Sequence, residues 1–298
     1  MQIRAWLNKA RKALKNSEAY KADSDFFIND ILFKLIDEFV SDKEDIKAAE
    51  YEQLNTALEE LIKGKPLALI LNYTYFYNHK IKVNEDVLIP RPDSETLVDT
   101  VKYYLPYLIN KANLENRKLV LLEIGVGSGA LSIAIADVLL NDLKFDNFII
   151  FASDISQASI DLARYNIEVA GFSEQIKLDL CDIWPEKVKS GQKPDLIFSN
   201  PPYISAEELA QTDLLKYEPE SALLAADNGL EFYERIFSEA DALIKTEFLL
   251  VFEHGYKQKQ AIETLAAKKP RYKYIDTVKD LAQRDRVSVY LAKEKGEK

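Results

Sequence analysis

The sequence predicts an α/β protein whose central sheet is mostly parallel and carries helices on both faces. From residue 119 onward, short apolar runs typical of buried strands alternate with segments of helical periodicity, which indicates a doubly wound sheet. The last two strands lie close in sequence and leave little room for a crossover helix, so we expect them to pair antiparallel. The first 63 residues have helical periodicity and contain neither glycine nor proline, which indicates a small helical bundle.

Apolar stripes at helical spacing predict the helices of this bundle, at residues 3–14, 27–39 and 51–61. Asp23 or Ser24 is the expected N-cap of the second helix, because both residue types accept a hydrogen bond from a free helical N–H group. Gly64 and Pro66 end the third helix. Residues 1–72 are therefore assigned to an N-terminal helical domain.

A change of composition marks the boundary between domains. Residues 74–84 contain aromatic and β-branched side chains on both sides of a polar turn, which predicts a β-hairpin. We assign residues 73–88 to this hairpin as a linker and residues 89–298 to the α/β domain. The strands predicted for the sheet are residues 119–124, 148–153, 175–180, 195–199, 248–252, 272–276 and 287–292. The helices predicted between them are residues 130–140, 158–170, 230–244 and 257–268, and the tail after residue 292 is expected to be disordered.

Composition excludes several classes of protein. With 298 residues, 47% hydrophobic and 30% charged, the chain is typical of a globular protein with one large and one small domain. The single cysteine, Cys181, rules out an internal disulfide framework and suits the cytoplasm. The two histidines, His79 and His254, lack a second ligand at metal-binding spacing, so we expect no metal site. A net charge of −10 argues against a broad electrostatic contact with nucleic acid, and no apolar segment is long enough to span a membrane.

A stiff corner follows the strand predicted at residues 195–199. It consists of Asn200, Pro201, Pro202 and Tyr203, and its prolines lack amide donors and fix their own φ, so the chain must leave the sheet there. Open α/β sheets bind ligands outside the carboxyl ends of such strands. The corner therefore offers the Asn200 carboxamide, two main-chain carbonyls and the Tyr203 ring to one pocket. The alternative is an ordinary turn, since Asn and Pro are common turn residues.

A glycine-rich loop follows the first strand of the sheet. Gly125, Gly127 and Gly129 allow the backbone to approach a ligand closely, and the next helix offers free N–H groups at its amino end. The spacing Gly-x-Gly-x-Gly lacks the last glycine position of the dinucleotide-binding fingerprint. Taken alone, a loop of this kind is a weak signal for a nucleotide site.

Acidic residues follow the next two strands. Asp154 is placed to accept both hydroxyls of a ribose, or alternatively to cap the helix that begins near Ser156. Asp182, Ile183 and Trp184 follow the third strand, where an acid with apolar and aromatic neighbours suits an adenine, although Trp184 can equally be a core residue. A glycine loop, a ribose acceptor, an adenine clamp and the proline corner in this order form one strong signal.

This order of motifs resembles the S-adenosylmethionine-dependent methyltransferases of the Rossmann-like fold, specifically those that methylate planar amide or amino nitrogens. A carboxamide nitrogen is a poor nucleophile because its lone pair is delocalised into the carbonyl. If the Asn200 side-chain oxygen and the Pro201 carbonyl accept its two N–H bonds, the lone pair is directed at the sulfonium methyl group, while Tyr203 packs on the amide plane. The positive sulfur already activates the methyl group, so no histidine base is required.

Other segments are similar to the HemK/PrmC family of release factor glutamine methyltransferases. The similarity covers nearly the whole chain and is carried by residues 87–96, which include Pro90-Arg91-Pro92, by the proline corner, and by residues 218–223, 227–230 and 284–287. The chain departs from the family pattern at Leu69, Asn72 and Gln283. None of these three belongs to the proposed pocket. The Arg91 loop either lines the active site or braces the hairpin.

The resemblance implies that the protein methylates the glutamine in the Gly-Gly-Gln loop of peptide chain release factors, with S-adenosyl-L-methionine as cofactor. The helical domain would help to bind that partner. The open alternatives are a glutamine of a ribosomal protein, an exocyclic amine of adenine or guanine, and a translation-associated binding protein without activity. We expect a monomer in the cytoplasm that contacts neither membrane nor nucleic acid directly.

The resemblance also implies the residues of the site. The cofactor-binding residues are Gly125, Val126, Gly127, Ser128, Gly129, Asp154, Asp182, Ile183, Trp184 and Asn200. The substrate-binding residues are Asn200, Pro201, Pro202 and Tyr203, of which Asn200, Pro201 and Tyr203 are the catalytic ones.

Overall fold

The computed structural model describes residues 2–41, 45–210 and 216–294, and the chain folds as two units, Met1–Thr74 and Tyr75–Lys298. The break between the units falls within the first strand of the predicted hairpin. Within the described ranges, no helix is long and apolar enough to cross a membrane. The end of the tail expected to be disordered, residues 295–298, lies outside the described residues.

The amino-terminal unit is a bundle of four helices: α1 Ile3–Lys15, α2 Asp25–Phe39, α3 Ala48–Ile62 and α4 Leu67–Leu71. Residues of all three predicted stripes, among them Ala10, Leu32 and Leu58, belong to its core, whereas Phe27 of the second stripe is exposed. Of the two proposed caps, Ser24 is the one used, since its hydroxyl accepts the N–H of Phe27 at 3.2 Å. Burial of these stripes stabilises the helices because short helices are marginal by propensity alone.

The hairpin forms as the sequence predicts, with strands β1 Tyr73–Phe76 and β2 His79–Lys82. Tyr77 and Asn78 both have positive φ, as the two central residues of a tight hairpin turn require. The side chain of Asn166 bridges to β2, accepting the Lys82 N–H at 2.9 Å and donating to the Lys82 carbonyl at 2.9 Å. These two bonds hold β2 against the α/β unit, to which both residues belong.

The central sheet has seven strands in the order β5-β4-β3-β6-β7-β9-β8. Their bounds are β3 Leu119–Ile124, β4 Phe148–Asp154, β5 Ile176–Leu180, β6 Leu196–Ser199, β7 Phe248–Glu253, β8 Tyr272–Lys279 and β9 Asp285–Ala292. The five neighbouring strands β5, β4, β3, β6 and β7 pair parallel to one another. Strand β9 pairs antiparallel with both β7 and β8. The expected antiparallel pairing of the last two strands is confirmed, and with it the mostly parallel fold.

The helices of the α/β unit are α5 Glu95–Leu114, α6 Ala130–Asp137, α7 Gln157–Ala170, α8 Glu186–Lys189, α9 Ala206–Leu209, α10 Ala226–Gly229, α11 Glu231–Leu243 and α12 Lys259–Ala267. Short turns of 3₁₀-helix occur at Pro92–Ser94 and Glu220–Ala222, and a π-turn at Val138–Asp142 follows α6.

The sequence analysis assigned no element to residues 95–114, where the structure has the 20-residue helix α5. Pro106 lies inside this helix, where proline is rare, and it therefore weakens the prediction of a helix from sequence. The helical signal was nevertheless present, since Leu97, Val101, Leu105 and Leu108 recur at helical spacing and are buried. Packing of this apolar face outweighs the loss of one main-chain hydrogen bond.

Candidate active site

The site lies where the order of strands reverses. Strand β3 pairs with β4 on one side and with β6 on the other, so the chain runs outward from β3 to β4 and β5 and then crosses to β6 on the opposite side of β3. The register places Ile124, the last residue of β3, beside both Ser153 and Ser199. The residues that follow these three strand ends therefore meet at one edge of the sheet, which is where open α/β sheets bind ligands.

A cavity at this edge is lined by most of the residues that the sequence predicts. Those lining it are Gly125, Val126, Gly127, Ser128, Asp154, Asp182, Ile183, Asn200, Pro201 and Pro202. Gly129, Trp184 and Tyr203 are not among the described residues that line it. The Arg91 loop also contributes to the wall, which decides the role that the sequence left open for it.

The glycine loop is shaped for close approach. Gly125 and Gly127 have φ of 76° and 51°, a region that other residues rarely adopt, and the space where their Cβ atoms would lie is empty. Gly129 also has positive φ, but its missing Cβ would contact Ala163 at 3.4 Å. Gly125 and Gly127 thus leave room on the cavity side, whereas Gly129 allows the loop to pack on α7.

Asp154 holds the glycine loop in place. Its Oδ2 accepts the N–H of Gly127 at 2.9 Å, and its Oδ1 accepts the N–H of Ser156 at 2.9 Å. The carboxylate therefore joins the loop after β3 to the start of α7, while it also lines the cavity. The structure gives the capping role to Ser156, whose hydroxyl accepts the Ser159 N–H at 3.3 Å, so Asp154 is not the cap of α7 and its use as a ribose acceptor stays a prediction.

Glu123 is a residue of the cavity wall that the sequence analysis did not select. It is the only acid in the apolar strand β3, is 1% exposed, and accepts a hydrogen bond from the Ser132 hydroxyl. Burial raises its pKa to about 8, with a further rise from the negative charge of Asp154, while the bonds from Ser132 act in the opposite direction. An acid inside an otherwise apolar strand, directly before the glycine loop, was the signal for it.

The residues after β5 have different environments. Ile183 lines the cavity and has φ of 66°, a strained conformation for a β-branched residue, closed by a bond from the Trp184 N–H to the Asp182 carbonyl at 2.8 Å. Trp184 is buried in the core of the sheet, and its indole N–H donates to Glu239 at 2.7 Å. Of the three residues proposed for the adenine, the structure brings Asp182 and Ile183 to the cavity and leaves Trp184 in the core.

The two ends of the Asn200 carboxamide have different hydrogen-bonding environments. Its Nδ2 donates to the Ser94 hydroxyl at 3.2 Å. Its Oδ1 is buried and has no hydrogen-bond partner among the residues that the structure describes. Since a buried acceptor without a partner costs roughly 1–3 kcal/mol, this oxygen is suited to accept a hydrogen bond from a ligand.

The Arg91 loop, which precedes α5, contacts Asn200 through Ser94. Glu218 accepts the Ile89 N–H at 2.8 Å and forms an ion pair with Arg91. At the other end of the loop, Asp93 pairs with Arg286 at 3.2 Å. These contacts hold the 3₁₀ turn that carries Ser94, so the loop both lines the cavity and orients Asn200.

Tyr203 lies beside the cavity and is packed into the protein. Its ring contacts the core of the sheet, and burial raises the pKa of its hydroxyl to about 12. Its carbonyl accepts the Gln258 Nε2 at 2.9 Å, and the same amide group contacts the carbonyl of Asn228 at 3.2 Å. Gly229, with φ of 82°, packs so closely that a Cβ would lie 2.1 Å from the Tyr203 carbonyl oxygen. The end of the proline corner is therefore fixed by Gln258, a residue that the sequence analysis missed.

Comparison with known proteins identifies the family. Residues 115–296 match the family model described as a methyltransferase domain. The release factor glutamine methyltransferase of Bacillus subtilis is 33% identical over 226 residues, which cover 75% of this chain and 74% of the relative. That of Streptococcus pneumoniae is 33% identical over 285 residues, 95% of this chain and 93% of the relative. The chain belongs to the family of release factor glutamine methyltransferases. This similarity confirms the family that the sequence motifs indicated.

Solved structures agree with the fold. A methyltransferase from Pyrococcus furiosus, with 19% sequence identity and a TM-score of 0.50, covers 80% of this chain and 99% of that chain. At this identity the likeness concerns the fold alone. It supports the Rossmann-like methyltransferase architecture around the switch point between β3 and β6.

As a methyltransferase of this family, the protein uses S-adenosylmethionine as methyl donor. The residues present fit such a ligand, because the cavity lining combines the glycine loop, the Asp154 carboxylate and the buried Asn200 oxygen. The free N–H groups at the start of α6 and the carboxylate of Asp154 suit the polar parts of the cofactor. Ile183 offers an apolar surface at the point where the sequence predicted the adenine.

Proposed function

We propose that this release factor glutamine methyltransferase transfers a methyl group to the side-chain amide nitrogen of the glutamine in the Gly-Gly-Gln loop of peptide chain release factors. The observation that carries the proposal is the Asn200 Oδ1 atom, a buried acceptor at the cavity wall without a partner among the described residues. A primary amide, which presents two N–H donors, suits this atom together with the carbonyl of Pro201. A substrate without such a donor would leave the acceptor unsatisfied.

The residues of the corner orient the substrate amide. Asn200 Oδ1 and the Pro201 carbonyl accept its two N–H bonds and so turn the nitrogen lone pair toward the cofactor end of the cavity. Pro201 and Pro202 have no main-chain N–H to compete for the substrate carbonyl and keep the corner rigid. S-adenosylmethionine, when bound, supplies a methyl group activated by positive sulfur. The roles of Asn200, Pro201 and Tyr203 as catalytic residues, and of Pro202 in binding, belong to this proposal.

We further propose roles for the rest of the molecule. The helical domain, residues 1–72, binds the release factor, and residues 73–88 act as the linker to the catalytic domain, residues 89–298. The protein works as a monomer in the cytoplasm without direct contact to nucleic acid. The net charge of −10 and the single cysteine support this part of the proposal.

The decisive experiment measures the transfer of labelled methyl from S-adenosylmethionine to a purified release factor. A release factor whose Gly-Gly-Gln glutamine is changed to alanine serves as the control substrate. We expect label on the unaltered factor alone. Label on both factors would mean that a different residue is methylated, and label on neither would reject the release factor as substrate.

A further inference from the structure

Arg91 is the only basic residue among the described residues that line the cavity, and the roles assigned above leave its guanidinium unused. The acidic residues of the same lining are Asp86, Glu123, Asp154 and Asp182. S-adenosylmethionine carries a positive sulfonium, an amino group and a carboxylate. A carboxylate bound in a cavity with these acids needs a positive partner, because a desolvated charge without one is costly. Arg91 is the residue of the described lining that can supply this partner.

The backbone around Arg91 has little freedom. Pro90 and Pro92 flank it, and Arg91 has the extended conformation that a following proline favours, with φ of −96° and ψ of 143°. Its carbonyl accepts the Ser94 N–H at 3.0 Å, and the Ser94 hydroxyl accepts a hydrogen bond from Asn200 at 3.2 Å. The loop that carries Arg91 is therefore fixed to the proline corner through Ser94.

A buried carboxylate orients the guanidinium. Arg91 Nη2 donates to Glu218, whose side chain is 1% exposed, and Glu218 also accepts the Ile89 N–H at 2.8 Å. The Arg91 side chain is 41% exposed, and its other guanidinium N–H groups have no hydrogen-bond partner in the part of the chain that the structure describes. A guanidinium has five N–H donors in a rigid plane. Glu218 therefore orients the group, while most of its donors remain available to a ligand.

We propose that Arg91 binds the carboxylate of S-adenosylmethionine. A guanidinium pairs with a carboxylate through two parallel N–H bonds, which makes the contact both strong and geometrically selective. Arg91 thereby distinguishes the complete cofactor from adenosine compounds that lack the carboxylate. The inference concerns the methyl donor alone, so it does not depend on the release factor as substrate.

The test measures binding by isothermal titration and needs no methyl transfer. The two ligands are S-adenosylmethionine and its decarboxylated analogue, which keeps the adenosine, the sulfonium and the amine. Wild-type protein should bind the analogue roughly 10-fold more weakly, or worse. Arg91→Met should raise the Kd for S-adenosylmethionine roughly 10- to 100-fold, because hydrogen bonds between charged groups are the strong ones. The Kd of this variant for the analogue should not rise.

Two further variants control for damage to the loop. Arg164→Met removes an exposed arginine of α7 that is not among the described residues lining the cavity, and it should bind both ligands as wild type does. Arg91→Met leaves Glu218 as a buried charge without its partner, which is destabilising. The double variant Arg91→Met/Glu218→Gln has no such charge, and its Gln can still accept the Ile89 N–H. It should show the same selective loss of affinity for the complete cofactor.

A merely structural role of Arg91 would weaken the binding of both ligands alike, and that result would overturn the inference. An unchanged Kd for S-adenosylmethionine in Arg91→Met would also overturn it, and a raised KM for the release factor in the same variant would move the contact to the substrate. If Arg91→Met fails to fold, the double variant decides. If both fail, the wild-type protein decides, since equal Kd values for the two ligands would exclude a carboxylate contact. Normal cofactor binding without methyl transfer to the release factor would instead overturn the proposed function, so the two failures are distinguishable.

Discussion

The carboxylate of Asp154 accepts the main-chain N–H of Gly127 at 2.9 Å, across the gap between two neighbouring strand ends. A residue that the sequence marked as a ligand contact is therefore also the residue that shapes the glycine loop. Cofactor affinity should depend on Asp154 for both reasons. The chemical step, for which we propose Asn200 rather than Asp154, should not.

Asp154→Ala should raise the Kd for S-adenosylmethionine by roughly 10-fold or more, since it removes acceptors of the loop and of the ligand. Turnover at saturating cofactor should change little. Isothermal titration with the cofactor gives the Kd, and steady-state assays give kcat. An ordinary cofactor titration would contradict the assignment.

Asn200→Ala should lower kcat by roughly 10- to 100-fold, because the substrate amide loses one buried acceptor worth ~1–3 kcal/mol. Methyl transfer to a release factor under saturating conditions measures the effect. Thermal unfolding of the same variant serves as the control for correct folding. Unchanged turnover would remove Asn200 from the catalytic residues.

Gln258→Glu should lower kcat roughly 10-fold, because a carboxylate cannot donate to the Tyr203 carbonyl that the amide now holds at 2.9 Å. The cofactor Kd should remain unchanged, since Gln258 is not among the described residues that line the cavity. The exposed Gln260→Glu, two positions further along in α12, is the matched control. Equal kcat values for the two variants would mean that this clamp does not position the corner.

Trp184→Phe should leave the cofactor Kd unchanged and lower the free energy of unfolding by ~1–3 kcal/mol, through loss of the buried bond to Glu239 and of core volume. Chemical denaturation and cofactor titration measure the two quantities separately. A weaker cofactor affinity with unchanged stability would return Trp184 to the adenine site.

Glu123 makes stability depend on pH. Its pKa is raised by burial to about 8, so the folded protein binds this proton more tightly than the unfolded chain does. The free energy of unfolding should therefore fall as pH rises from about 4.5 to about 8, at ~1.4 kcal/mol for each unit of the pKa shift.

Glu123→Gln should make this fall smaller by a few kcal/mol, as measured by denaturant unfolding at several pH values. The fall should not vanish, because Glu253 contributes with the same sign. The exposed Glu168→Gln is the control, and an identical pH dependence in Glu123→Gln and wild type would contradict the raised pKa.

Local signals predicted most of the fold. The apolar runs that became β3, β6 and β7 are fully buried strands, and their pattern was sufficient because strands at the centre of such a sheet are covered on both faces. Helix α5 was missed although Leu97, Val101, Leu105 and Leu108 recur at helical spacing on both sides of Pro106. Propensity is a local quantity, whereas packing of the whole helical face decides whether the helix forms.

The residues of the candidate site were also predicted only in part. Motifs contiguous in sequence, such as the glycine loop and Asn200-Pro201-Pro202, indicated the cavity because each follows a strand end at the same edge of the sheet. Glu123, Ser94 and Gln258 were missed as site residues. Two of them contact the corner over long sequence separations, 106 positions between Asn200 and Ser94 and 55 between Tyr203 and Gln258.

The sequence by itself therefore determined the fold class, the family and the edge of the sheet at which the cavity lies, since these follow from periodicity and from motifs within single loops. Only the tertiary structure decided that Trp184 lies in the core, that the Arg91 loop lines the cavity, and that Asn200 presents an oxygen without a partner. Burial and hydrogen-bond satisfaction depend on which distant segments are brought together, and a local pattern of residues does not carry that information.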